Sequence, residues 1–198
     1  MTDILTKNHQ ISELEEKLLL RKKLQDITNQ IHAARNIKQI LVDLKEGILN
    51  LFDAYSITIY VVDRLRNEIF SLLLSASQIK EIRVPINNKS IAGYVANNKK
   101  TVNIADAYDV AELRQIDPEL SFDLSWDKKT GFRSRQILCS PVFYNGKLSG
   151  VIQILNKKGG GKFSDEEVGF VQEIAEVLGV AFFNQERYAR RRKTRYDY

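Results

Sequence analysis

Asn145-Gly146 sits between two apolar runs, Gln136 to Phe143 and Leu148 to Leu155. An Asn-Gly pair flanked by such runs is a strong short-range signal for a two-residue hairpin, because both positions of the turn need positive φ. The stretch therefore predicts two antiparallel strands at the centre of a sheet, and the rest of the chain must fold around them. Just ahead of the first strand lies Thr130-Gly131-Phe132-Arg133-Ser134, with two hydroxyls, a glycine and a guanidinium in five residues. Two readings stand: a loop whose side chains meet a small anionic or heterocyclic ligand, or a turn whose hydroxyls cap local backbone groups.

The remaining strands are short and punctuated by polar turns. Ser56 to Val62 is rich in β-branched residues and ends at Asp63, and Arg64 to Asn67 turns the chain into Glu68 to Ser75. Glu81 to Ile86 reads as an edge or rim strand, since Pro85 has no N–H for a ladder. Ser90 caps a short helix from Ile91 to Asn97, in which Ala92 and Gly93 leave room for a close neighbour. Val102 to Ile104 is a further strand. Ala105 to Lys129 reads as a long connection with helical fragments. Its Phe122 and Trp126 either close over the Thr130 loop as a lid or anchor the segment to the core.

Helices are expected at both ends. From Ile11 to Ala34, Leu14, Leu18, Leu24, Ile27 and Ile31 recur at three- and four-residue intervals, but the spacing slips near Leu18 to Leu20, so one unbroken heptad register is not supported. This helix suits a two-stranded seam with a copy of itself or packing on its own domain. Asn36 caps a second helix, with an apolar face of Ile37, Ile40, Leu41, Leu44, Ile48, Leu51 and Phe52. The three glycines after Lys158 form a turn lacking the helix-opening Lys-Ser/Thr of a phosphate loop. Ser164 then caps a long exit helix, with Asp165, Glu166 and Glu167 at its positive end and Val168, Val171, Ile174, Ala175, Leu178, Ala181 and Phe182 as its buried stripe.

Length and charge narrow the function classes. A chain of 198 residues with 43% hydrophobic and 28% charged residues supports one domain with a full core and an appendage. The formal charge of +5 is carried entirely by residues 187–198, where six cations face Asp197. A short basic tail is usually a solvated helix end or a linker, and no basic stripe with interleaved aromatics runs across the body, so nucleic-acid binding is not expected. The single Cys139 leaves no intrachain disulfide and no cysteine cluster, and no apolar run suggests a membrane span, so a cytoplasmic protein is expected. His9 and His32 both lie in the entry helices, away from any pocket a haem or zinc would need. Asp106, Asp109, Asp127 and Glu81 are scattered on loops and a rim strand without a nucleophile partner, so catalysis is not expected.

Three ordered segments, SIAGYVANNKKTVNIADAY, DKKTGFRSRQILCSPV and GVIQILNK followed by FSDEE, resemble the GAF domain of cyclic-nucleotide phosphodiesterases and bacterial sensors. The resemblance spans about Ile37 to Asn184. It implies an α+β fold: a six-stranded antiparallel sheet flanked by N- and C-terminal helices, with a small-molecule pocket on one face. It divides the chain into an N-terminal signalling helix at 1–35, the domain at 36–186 and a basic tail or linker at 187–198. The implied role is regulatory: sensing of a cyclic nucleotide or other small ligand, homodimerisation through the terminal helices and relay to a fused effector. FDLSWDKKTGFRSRQ and the closing RRKTRYDY are similar to the GAF unit preceding type II secretion and type IV pilus assembly ATPases.

Position by position, the resemblance places Ala92 on the small residue beside the base, Asp127 and Thr130 on the pocket wall, and Ser134 on a wall threonine. Gln153 falls where nucleotide-binding members have a glutamate. Leu74 and Ser75 fall on an aromatic-acidic pair that contacts the purine, and supply neither ring nor carboxylate. Asn156, Lys157 and Phe163 fit the family's Asn-Lys-Phe-Asp-Glu pattern, whereas Glu167 and Val168 occupy its acidic pair.

Overall fold

In the computed structural model the described backbone covers residues 2–75 and 78–196, and the described side chains cover 8–72, 81–128 and 131–187. The chain enters through helix α1 (Thr2–Ala33), turns through α2 (Ile37–Val42) and α3 (Lys45–Phe52), and lays down β1 (Ala54–Asp63), β2 (Glu68–Ser75) and β3 (Gln78–Pro85). After α4 (Ile91–Asn98), β4 (Val102–Ile104), α5 (Val110–Ile116) and α6 (Ser125–Thr130) come the central hairpin strands β5 (Ile137–Tyr144) and β6 (Lys147–Lys157), then the exit helix α7 (Asp165–Tyr196).

The six strands form one sheet in the order β3-β2-β1-β6-β5-β4, and every pairing is antiparallel. Asn145 and Gly146 both have positive φ, 46° and 72°, as the hairpin requires. β3 lies at an edge, and Pro85 ends it opposite Glu68. β6 is the spine of the sheet because it pairs with β5 through that turn and with β1, almost a hundred residues earlier in the chain.

Alternation along the strands divides the interior in two. Ile57, Ile59, Leu138, Val142, Ile152 and Ile154 face one side, where α1, α2, α3 and α7 cover them. Tyr60, Ile69, Ile137, Cys139, Val151 and Leu155 face the other, beneath α4 and the α5–α6 connection. Cys139 is a buried free thiol on this second side.

Helix ends follow their caps. Asn36 Oδ1 accepts from Gln39 N at 2.9 Å, and Ser90 Oγ accepts from Gly93 N at 3.1 Å. Ser164 and Glu167 form a reciprocal capping box at the start of α7, with Glu167 N donating to Ser164 Oγ and Ser164 N to Glu167 Oε2. Glu167 also pairs with Lys157 Nζ at 2.8 Å, tying α7 to the end of β6. The close approach expected at the start of α4 is backbone on backbone: a Cβ on Gly93 would stand 2.5 Å from Pro85 O. Gly179 plays the same part for α7, since a Cβ there would run into Phe143 O.

One sequence expectation needs correction and another is explained. The helix predicted to follow Asn36 is two helices: the backbone stays right-handed through Asp43 and Leu44 (ψ −26° and −8°) but flattens enough to interrupt the hydrogen-bond ladder. Its apolar face is nevertheless buried, from Ile40 and Leu41 to Ile48 and Phe52. In α1 the slip near Leu18 to Leu20 is a change of face. Leu24, Ile27 and Ile31 are buried against the domain, whereas Leu14 and Leu18 are 60% and 69% exposed.

Candidate functional site

Beneath α4 and α6, on the sheet face away from the terminal helices, lies a cavity of about 420 Å³. Its floor comes from adjacent strands. Ser56, Thr58 and Tyr60 share one face of β1, and the register sets Thr58 opposite Gln153 and Ser56 opposite Leu155 of β6. One wall is Ile91 and Ala92 at the start of α4, and another is Ile82 and Val84 of β3. Phe122, Trp126 and Phe132 supply rings from the α5–α6 connection and the loop after it.

The floor is polar but uncharged. The Tyr60 phenol, next to Thr58 on the same face of β1, has its pKa raised, first by burial and then by the neighbouring Cys139. The Cys139 thiol, itself pushed up by burial, makes a long 4.0 Å contact with Gln153 Oε1. Gln153 Nε2 has no hydrogen-bond partner among the described residues, so the amide is available to the cavity. A buried thiol held neutral in this way is inert as a nucleophile.

Asp127 and Ser134 reach the cavity wall for a structural reason. Asp127 Oδ2 accepts from Tyr108 Oη and from Ser134 N, both at 2.7 Å, while its Oδ1 accepts from Ser134 Oγ at 2.8 Å. Three donors therefore converge on one buried carboxylate, which latches α6 to the loop leading into β5. The bond to Asp127 is also the main cause of the raised Tyr108 pKa, and the Arg133 guanidinium lies 4.7 Å from the Tyr108 ring centroid. Asn156, at φ 58°, clamps the same loop to β6: its Nδ2 donates to Arg133 O and its Oδ1 accepts from Arg135 N, each at 2.7 Å.

Of the residues singled out from sequence, Ala92, Asp127, Ser134 and Gln153 line this one cavity. The Ser134 hydroxyl is committed to Asp127. Thr130 is the last residue of α6, and Leu74 and Ser75 pair with Ile79 and Gln78 at the far end of β2, but the side chains of all three lie outside the described residues. Trp126 and Phe122 both line the cavity, and Phe122 also packs on Tyr108 with ring centroids 5.7 Å apart. Ser56 and Thr58 were missed. Their signal was the hydroxyl alternation in Ser56-Ile57-Thr58-Ile59-Tyr60, which puts three hydroxyls on one face of a strand whose other face is aliphatic. Among the described residues, no group of three or more His, Cys, Asp and Glu side chains comes together as a metal site would need. No described helix is long and apolar enough to cross a membrane.

An antiparallel sheet carrying two long terminal helices on one face and a ligand-sized hollow under short helices on the other defines a sensor-type α+β domain. The GAF domain model matches residues 26–182, and the chain belongs to that family. Among curated proteins it is 30% identical over 165 residues to a probable 3',5'-cyclic phosphodiesterase of Caenorhabditis elegans, an alignment covering 82% of this chain and 21% of the relative. It is 35% identical over 115 residues to the dual 3',5'-cyclic-AMP and -GMP phosphodiesterase 11A of Takifugu rubripes, covering 57% of this chain and 12% of that protein. The chain thus spans only about a fifth and an eighth of the length of these two phosphodiesterases. Among solved structures, the GAF domain of a phosphoenolpyruvate-protein phosphotransferase from Coxiella burnetii matches with a TM-score of 0.70 at 20% identity, over 86% of this chain and 96% of that one. Free methionine-R-sulfoxide reductase from Neisseria meningitidis, solved with its substrate, matches at 0.65 and 16% identity, over 87% and 93%. At these identities the structural matches show the fold.

Proposed function

We propose that the chain is a non-catalytic regulatory GAF module. Its cavity takes up a cyclic nucleotide or another small ligand, and its terminal helices relay occupancy to an attached effector. The observation that carries this reading is the cavity: about 420 Å³ lies within the range of small-molecule sites, with ring side chains above and neutral hydrogen-bonding groups below. Ala92, Thr58 and Gln153 contact the ligand, and Thr130, Leu74 and Ser75 are further candidate ligand-binding residues by resemblance. Asp127 and Ser134 hold the wall in place. A purine would lean on Phe122, Trp126 and Phe132 for stacking, since Leu74 and Ser75 bring no ring or acid.

In this reading residues 36–186 sense, 1–35 form a signalling helix and 187–198 lead to the effector. A secretion or pilus assembly ATPase is one such effector. The module acts as a homodimer through its terminal helices, in the cytoplasm, where a lone thiol such as Cys139 stays reduced. The alternative is a structural adaptor whose pocket is filled by Leu74, Phe132 and Trp126; open volume reaching down to Gln153 favours sensing.

Thermal-shift measurements against cyclic mono- and dinucleotides and a metabolite panel test the reading, because a ligand that binds only the folded state raises the melting temperature. Stabilisation by at least one compound, lost in Gln153→Leu, is expected. No shift with any compound at high concentration leaves the adaptor.

A further inference from the structure

Among the described residues, an exposed apolar stripe and an apolar-floored groove stand out, toward opposite ends of the paired terminal helices. The first is a stripe on α1: Ile11, Leu14 and Leu18 are 53%, 60% and 69% exposed. At 3.6 residues per turn this stripe points about 140° away from the direction of Leu24, Ile27 and Ile31, so no rotation of α1 on its own domain buries both sets. The second is an open groove of about 890 Å³ between the end of α7 and the hairpin ends of the sheet. Val61, Phe70 and Phe182 form its apolar floor, and Arg64, Lys147 and Arg187 lie along its rim.

Their charges are complementary. The exposed half of α1 carries Glu13, Glu15 and Glu16 against Lys17. On the groove side Arg64, Lys147 and Arg187 face Asp63 and Glu186, and Asp63 shares the Arg83 guanidinium, at 2.9 Å, with Glu68 and Glu81. Within one chain the two surfaces cannot meet. Arg21 pairs with Glu173 at 2.7 Å and Gln185 Nε2 donates to Ala34 O at 3.1 Å, so α1 and α7 run parallel. Leu14 and Leu18 accordingly lie level with the first turns of α7, roughly 25 Å from the groove at 1.5 Å per residue.

We propose that the occupant of the groove is the N-terminal half of α1 from a second copy of this chain. The two copies lie head to tail, each stripe in the other's groove, related by a two-fold axis that makes the contacts equivalent. A parallel seam of α1 against α1 is the competing arrangement. It needs an apolar repeat sustained over three or four heptads, and here the next positions after Leu18 are Arg21, paired with Glu173, and Gln25. Two turns of apolar stripe suit a groove better than they suit themselves. The proposal rests on the dimeric reading above and specifies its geometry.

Cys139 is buried, so engineered cysteines report cleanly. Full-length Leu14→Cys and Lys147→Cys proteins are oxidised separately and after mixing, following light-scattering measurement of the mass in solution. A dimer whose disulfide forms only in the mixed sample is expected, together with a dimer dissociation constant raised by about tenfold or more in Leu14→Glu, an exposed change that leaves the fold intact. A monomeric wild type overturns the dimeric reading and this proposal together, and leaves the groove to a different protein. A dimer in which Leu14→Cys cross-links to itself, or in which the mixed sample does not cross-link, overturns the head-to-tail arrangement alone.

Discussion

Replacing Asp127 by alanine tests the assignment of this residue as a latch. Its carboxylate is buried and accepts three hydrogen bonds, from Tyr108 Oη, Ser134 N and Ser134 Oγ. The Tyr108 phenol is half-buried and can turn to water, so its loss is the smallest. Ser134 is 4% exposed, and its N–H and hydroxyl would be stranded. An unsatisfied buried donor costs about 1–3 kcal/mol, so two of them, less the relief from no longer burying a carboxylate, give a net loss of about 3 kcal/mol. For a chain of this size that corresponds to a fall in melting temperature of roughly 6–12 °C. Urea unfolding followed by circular dichroism measures the loss directly as a lower midpoint at unchanged slope. Asp127→Asn keeps one acceptor oxygen but turns an N–H₂ toward a donor, and should lie between the wild type and alanine. A loss below about 1 kcal/mol, or an asparagine variant as stable as the wild type, refutes the latch. So does an alanine variant of native stability that has lost a ligand-induced thermal shift, since that pattern belongs to a direct contact.

The other outcomes are simpler. Gly179→Val drives a side chain into Phe143 O where α7 crosses β5 and should destabilise by about 3 kcal/mol or more, whereas the same change at Gly169, which faces open space, should cost well under half as much. Asn156→Ala removes both clamps on residues 133–135 along with a side chain suited to positive φ, and should cost about 2–3 kcal/mol in the same urea assay. The raised pKa values of Cys139, Tyr60 and Tyr108 mean that the folded state holds these protons more tightly than the unfolded state. Their contribution is complete below the ordinary values of 9.0 for the thiol and 10.0 for the phenols, and is lost as pH climbs through the higher folded values. Melting temperature should fall above about pH 9, and the Tyr60 phenolate should appear only as the protein unfolds. Lys45 has the opposite sign. Burial lowers its pKa from 10.5 and its Nζ reaches only Leu72 O, at 3.3 Å, so Lys45→Met should be neutral to stabilising at pH 7, with any gain shrinking as the pH approaches 10.5.

Most strand positions, the central hairpin and the caps at Asn36, Ser90 and Ser164 were legible because each is written in contiguous residues: a period, a turn pair or a capping side chain. The strand order was not, because it turns on the pairing of β1 with β6, almost a hundred residues apart. The apolar slip in α1 was legible as well, but its meaning was not, since which face meets the domain depends on where α7 lies. The role of Asp127 was hidden for a related reason. Its partners, Tyr108 and Ser134, are 19 and 7 residues away, and no local pattern separates a carboxylate that holds a wall from one that meets a ligand. The cavity floor was half legible, because Gln153 stood out by resemblance while Thr58, its partner across the sheet, looked like one more β-branched residue.

The coupling that sensing requires has a short physical path. Gln153 points into the cavity, and its neighbours Ile152 and Ile154 point into the core beneath the terminal helices, so a single layer of backbone separates the cavity from those helices. α7 is tied to the sheet at two points, by Lys157 of β6 with Glu167 at its start and by the contact of Gly179 with Phe143 of β5 near its middle. A shift of β6 must therefore be matched by α7 or break one of these ties. Proximity alone transmits nothing: a ligand moves the helices only by the difference in its affinity for two arrangements of them, and a tenfold difference amounts to about 1.4 kcal/mol. One hydrogen bond from the Gln153 amide, made in one arrangement and missed in the other, is of that size. Gln153→Leu should accordingly separate two quantities. If the amide is only an anchor, affinity falls and any residual ligand still moves α7; if it is the discriminating contact, distances between spin labels on α1 and α7 stop responding even at saturating ligand.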